Sequence, residues 1–75
     1  MPKLPVTTAR DVLRVLRRLG FEVHHQTGSH INLRHPDRPG LRVVIPFHSG
    51  DLAPKTLRSI LSQSGINIEE FIAEL

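Results

Sequence analysis

The sequence predicts an α+β fold: elements in the order α-β-β-β-α-α, with a three-stranded antiparallel sheet and helices on one face of it. Three observations carry this. Apolar residues recur at helical spacing from Ala9 to Leu19 and again from Leu57 to Leu61. The stretch between them alternates apolar and polar residues, as half-buried strands do. Glycines and prolines punctuate the joins. A chain of 75 residues is expected to be a single domain, residues 1–75. That size excludes a large cofactor enzyme, a transporter and a multi-domain regulator. Hydrophobic residues at 39% against 23% charged are an ordinary globular balance, which argues against wholesale disorder.

The first helix starts at Thr8, an N-cap residue with Asp11 three positions later, the spacing of a capping box. It stops at Gly20, a good residue just beyond a helix end. At about 100° per residue, Ala9, Val12, Leu13, Val15, Leu16 and Leu19 share one face, and Arg10, Arg14, Arg17 and Arg18 share the other. Phe21 to Gln26 suits a strand, and Thr27-Gly28 a tight turn. His30 to His35 alternates, with Ile31 and Leu33 inward and His30, Asn32 and Arg34 outward. Pro36 to Gly40 reads as a loop on its turn chemistry. Leu41 to Phe47 is the third strand, and Pro46 assigns its end to a sheet edge or a bulge. Pro54 opens the second helix, Leu57, Ile60 and Leu61 give its apolar face, and Gly65 ends it. Asn67 with Glu70 forms a second capping-box pattern, ahead of a short helix lined by Ile68, Phe71, Ile72 and Leu75.

Charge is unevenly spread. Up to Arg58 there are ten basic and four acidic residues, or +6; from Ser59 onward there are three acidic and no basic ones, or −3. Eight of the ten cations are arginine, whose planar fork matches phosphate oxygens. A basic body points to a polyanionic partner, most often nucleic acid. There is no cysteine, which excludes disulfides, Cys-ligated zinc and thiol catalysis. No apolar run approaches the roughly 20 residues that span a bilayer, and Met1 to Pro5 lack the apolar core of a secretion signal. A cytoplasmic protein without membrane partners is the expectation.

With helices on one sheet face, the other stays wet, and His30, Asn32 and Arg34 lie in line along it. Gly28-Ser29-His30 is the sharpest local feature. Gly28 permits φ > 0 and close backbone approach, Ser29 supplies a hydroxyl, and His30 supplies an imidazole, the side chain most often used in general acid–base catalysis. RNA carries its own nucleophile, the 2′-hydroxyl, so a single general base or acid beside a phosphate can start cleavage with no cofactor. Neighbouring arginines stabilise the charge that builds on the phosphate. The plain structural reading is a turn glycine followed by a surface histidine. The arginine stripe likewise has two readings, a track for a phosphate backbone or a solvated helix face.

The five histidines, His24, His25, His30, His35 and His48, form no H-x-x-x-H pair, and alternation puts His24 and His25 on opposite strand faces. No metal site is expected. His48 could serve as a second acid or base if its strand pairs with that of His30; a loop-stabilising role is the plainer one. With no Tyr or Trp, base-stacking platforms are poorly supplied.

The chain resembles the HicA mRNA interferase toxins of HicAB toxin–antitoxin modules. The resemblance rests on Leu16-Arg17-Arg18-Leu19-Gly20-Phe21, Gly28-Ser29-His30 followed by Arg34-His35-Pro36, Ile45-Pro46-Phe47-His48, Thr56 to Leu61, Gly65-Ile66 and Glu69-Glu70-Phe71. It covers nearly the whole chain in order. It implies a fold like a double-stranded-RNA-binding domain and cleavage of mRNA without a metal cofactor. It implies catalysis by the histidine of Gly-Ser-His, here His30, with His48 as the family's second histidine. It also implies a HicB antitoxin that masks the active site. Relatives often carry an aromatic residue just after the catalytic histidine, where this chain has Ile31 and Asn32, a departure that bears on substrate preference.

The expected function is therefore an endoribonuclease toxin. His30 is the general acid or base, Gly28 and Ser29 admit the phosphate, and Asn32, Arg34, Arg10, Arg14, Arg17 and Arg18 hold the RNA. Two rivals use the same residues: a non-catalytic RNA-binding module of the same fold, and an interaction domain whose basic face docks an acidic partner.

Overall fold

The structure, a computed structural model, describes residues 3–75; Met1 and Pro2, on which part of the N-terminal reading rests, lie outside the described residues. The elements are α1 (Ala9–Arg18), β1 (Glu22–Thr27), β2 (His30–His35), β3 (Arg38–Pro46), α2 (Pro54–Ser64) and α3 (Ile68–Glu74). The strands form one antiparallel sheet in the order β1-β2-β3. This is the α+β order expected from hydrophobic periodicity.

The apolar side chains explain the layering. Ile31 and Leu33 of β2 and Val43 and Ile45 of β3 are buried on one sheet face. They join Val12, Val15 and Leu16 of α1, Leu57, Ile60 and Leu61 of α2 and Phe71 of α3 in one cluster. The helices thus cover the inner face, and the outer face carries mainly polar residues, with Val44 and Pro46 among them. Ile72 and Leu75, expected to line α3's apolar face, are instead 39% and 44% exposed; of that face Phe71 is the residue fully buried.

Local signals set the helix ends. The Thr8 side chain accepts the Asp11 N–H at 3.2 Å, a cap for one of the unpartnered N–H groups at a helix start. The capping box is only half made, since the Asp11 carboxylate turns to Arg14 at 3.0 Å. At α3 both halves are present: Asn67 accepts the Glu70 N–H at 2.8 Å, and Glu70 accepts the Asn67 N–H at 3.3 Å. Gly65 ends α2 in the left-handed region at φ +71°. Gly20 follows α1 at φ +100°, and His35 closes over it. The His35 Nδ1 accepts the Asp37 N–H at 3.1 Å, so Nε2 carries the ring proton and donates to the Leu19 carbonyl at 3.1 Å. The edge of the Phe21 ring meets the His35 ring at 4.9 Å. This histidine ties the end of α1 to the end of β2.

Three strand details differ from the sequence reading. The β1–β2 turn is Gly28-Ser29, not Thr27-Gly28, with Thr27 paired to His30; Gly28 takes φ +56°, as the first position of a type II′ hairpin turn requires. β3 begins at Arg38, not Leu41, after a two-residue turn at Pro36-Asp37. Its register shifts so that His35 pairs with Arg38 and Arg34 with Arg42, leaving Pro39-Gly40-Leu41 as an irregular, partly looped-out stretch. Finally, β1 starts at Glu22 and is exposed along its whole length. No helix covers it, so its alternation leads to no burial. β3 is the other edge of the sheet, and there the Val44 N–H is satisfied by Gln63 of α2 at 2.9 Å, which blunts the edge.

Candidate functional site

The register places the outward residues in three rungs. His30 lies between Thr27 and Pro46, Asn32 between His25 and Val44, and Arg34 between Glu22 and Arg42. Residues paired across a ladder share a face, so these side chains line the open side of the sheet. Rungs two residues apart along a strand are separated by about 7 Å. His30 is exposed, while Asn32 and Arg34 are half-buried. Among the described residues the exposed His30 ring has no hydrogen-bond partner. The in-line arrangement of His30, Asn32 and Arg34 is the one that strand alternation dictates.

Gly28 and Ser29 sit beside His30 at the hairpin turn. A Cβ placed on Gly28 would meet nothing within 4 Å, so the space above it is open. The Ser29 carbonyl accepts the Phe47 N–H, which extends the β2–β3 ladder one bond past Pro46 and brings the start of the β3–α2 loop against the turn. His48 follows in that loop, exposed, with its Nδ1 on the Ser49 carbonyl at 2.9 Å. Thr8 pairs with Asp51 in an isolated bridge, which anchors the start of α1 at the same end. A cleft of about 410 Å³ forms there, lined by Thr8, Arg10, Phe47, His48, Ser49 and Gly50. Arg10 and His48, two of the sequence candidates, meet in it. His30 does not line it.

The remaining arginines of the stripe are elsewhere. Arg14, Arg17 and Arg18 are exposed on α1 with Leu13 between them. Because α1 lays its apolar side on the inner sheet face, its arginine side points away from the sheet. Arg34 therefore lies on the surface opposite Arg14, Arg17 and Arg18, while Arg10 borders both their groove and the His48 cleft. Arg14 pairs with Asp11. Slight burial raises the Asp11 carboxyl, but hydrogen bonding to Thr8 and the Arg14 guanidinium outweigh it and hold the group below its ordinary value.

His24 and His25 also depart from expectation. A bulge between Val23 and His25 takes His24 out of register, and such an extra residue defeats simple alternation. The two rings are 5.2 Å apart and edge to face, not on opposite faces. They border a recess with Asn32, Leu33, Arg34 and Arg42. Arg42 was not singled out by sequence reasoning. The signal was present: it lies between the inward Leu41 and Val43, hence outward on the same face as Arg34. Among the described residues no three His, Asp or Glu side chains gather as metal ligands, and no helix is long and apolar enough to cross a membrane.

Residues 9–66 match the family model described as the HicA toxin of bacterial toxin–antitoxin systems. No curated protein matches the chain.

Proposed function

The chain belongs to the HicA toxin family of bacterial toxin–antitoxin systems, and from that membership we propose that it is an endoribonuclease that cleaves mRNA by general acid–base catalysis at His30. The observation that carries the reading is His30 itself, exposed beside an unobstructed glycine turn and in line with Asn32 and Arg34 on the open sheet face. An RNA strand laid along this line would meet an imidazole at one end and a guanidinium about 14 Å further on.

The chemistry follows from RNA. An imidazole nitrogen of His30 accepts the proton of the 2′-hydroxyl, whose oxygen attacks the adjacent phosphorus. The bond to the 5′-oxygen of the next nucleotide breaks, and that oxygen takes up a proton. The same ring, once protonated, can return it. Asn32, on the nearer rung, meets the negative charge that accumulates on the phosphate oxygens, and Arg34 holds the strand beyond it. Gly28 and Ser29 leave room for the backbone. His48 and Arg10, in the neighbouring cleft, are placed to take the chain beyond the reacting phosphate. Arg14, Arg17 and Arg18, on the opposite surface, act on more distant RNA and on its capture from solution.

As a toxin of such a system the chain has an antitoxin counterpart. In this reading it is a HicB-type protein that covers the open sheet face and so keeps RNA from His30. End-group analysis of the products tests the chemistry. Attack by the 2′-hydroxyl leaves 2′,3′-cyclic phosphate and 5′-hydroxyl ends; 3′-hydroxyl ends would refute it.

A further inference from the structure

Arg34 and Arg42 stand directly opposite each other on the open face of the β2–β3 ladder. Like charges in that relation destabilise a sheet. The described residues offer little relief. Glu22 flanks Arg34 on the other side, yet the one ion pair within 4.0 Å among the described residues is Arg14–Asp11. The bulge at His24 adds two imidazoles to the same spot, and Asn32 completes the rim. The recess measures about 70 Å³. That suits a small oxyanion and is far below the several-hundred-Å³ clefts that enclose larger ligands.

We infer that Arg34, Arg42, His24 and His25 form a second phosphate subsite, which holds a further backbone phosphate of the RNA, distinct from the one at His30. The inference rests on the ribonuclease reading and extends it. Arg34 lies four residues along β2 from His30, about 14 Å at the rise of an antiparallel strand. A group bound between Arg34 and Arg42 is thus too far from His30 to be the reacting phosphate. It is another phosphate further along the strand, and its capture fixes the register of the RNA on the sheet. The bulge then has a purpose in the fold: it turns His24 toward the anion.

The test uses the full chain carrying His30→Ala, so that RNA is bound without being cut, and a short labelled single-stranded RNA as probe. Affinity is followed by anisotropy between about 50 and 200 mM salt. Arg42→Glu should weaken binding roughly three- to tenfold and flatten the salt dependence by about one phosphate contact. The same substitution should raise the melting temperature, because it replaces the Arg34–Arg42 repulsion with an attraction. His24→Ala with His25→Ala should weaken binding by a smaller factor, and Arg42→Lys should restore the salt slope. Unchanged affinity and slope in Arg42→Glu, with the parent binding RNA, would overturn the subsite and leave the ribonuclease reading standing. A parent that does not bind RNA, with a native chain that does not cut it, would overturn both.

Discussion

His30 stands opposite Pro46 at the last rung of the β2–β3 ladder, and the next bond, from the Phe47 N–H to the Ser29 carbonyl, closes the ladder behind the hairpin turn. The histidine is thus held by backbone pairing while its ring is free. Its backbone place does not depend on its side chain, so His30→Ala should fold normally. The expected outcome is a stability change within about 0.5 kcal/mol and a loss of cleavage of at least about 100-fold. Thermal melting and a single-turnover cleavage assay measure the two quantities separately.

Arg34 and the arginine stripe lie on opposite surfaces, so their losses should differ in kind. Arg34→Ala should lower kcat by about tenfold or more, because it removes the guanidinium that fixes the register of the RNA at His30. Arg17→Ala with Arg18→Ala should raise KM and weaken its salt dependence, with kcat moving by about twofold or less. Steady-state kinetics at two salt concentrations distinguish these patterns. Equal effects on kcat would contradict this division of roles.

A Cβ on Gly20 would lie 2.6 Å from the His35 Nε2, and the residue's φ of +100° disfavours any side chain. Gly20→Ala should therefore cost about 2 kcal/mol, seen as a melting temperature lower by about 10 °C. His35→Ala removes the obstructing ring together with its bond to the Leu19 carbonyl. The double variant should accordingly be more stable than the sum of the single losses implies, a coupling that a double-mutant cycle measures.

Asp11 gives a pH dependence with a definite sign. Its carboxyl is held below the ordinary value by Thr8 and Arg14, against slight burial that raises it. A depressed carboxyl stabilises the fold above its unfolded value, and that contribution disappears as pH falls through the folded value. Asp11→Asn should thus be less stable than the native chain at pH 6 and equal to it near pH 2, as compared by denaturant unfolding.

The helices and their caps were legible because their causes are local: Thr8, Pro54, Gly65 and Asn67 act within a turn of their own positions. The line His30-Asn32-Arg34 was legible because β2 is regular and its inward Ile31 and Leu33 are buried. Where pairing loses its regularity, alternation ceased to be a guide. His24 left register at a bulge, and Pro39-Gly40, which read as loop, lies inside a strand whose register shifts. The separation of Arg34 from Arg14, Arg17 and Arg18 is a property of layer stacking, since each face was read correctly but within its own element. Arg42 was overlooked for the same reason, as its significance lies in standing across the ladder from Arg34.

The most direct test of the central claim is cleavage of RNA by the purified chain in EDTA, run beside His30→Ala. The account predicts fragments from the native protein and none from the variant, with the variant still folded. Equal cleavage by both would contradict the assignment to His30 and turn attention to His48. Cleavage by neither, with RNA still bound, would contradict the enzyme reading and leave an RNA-binding module of the same fold.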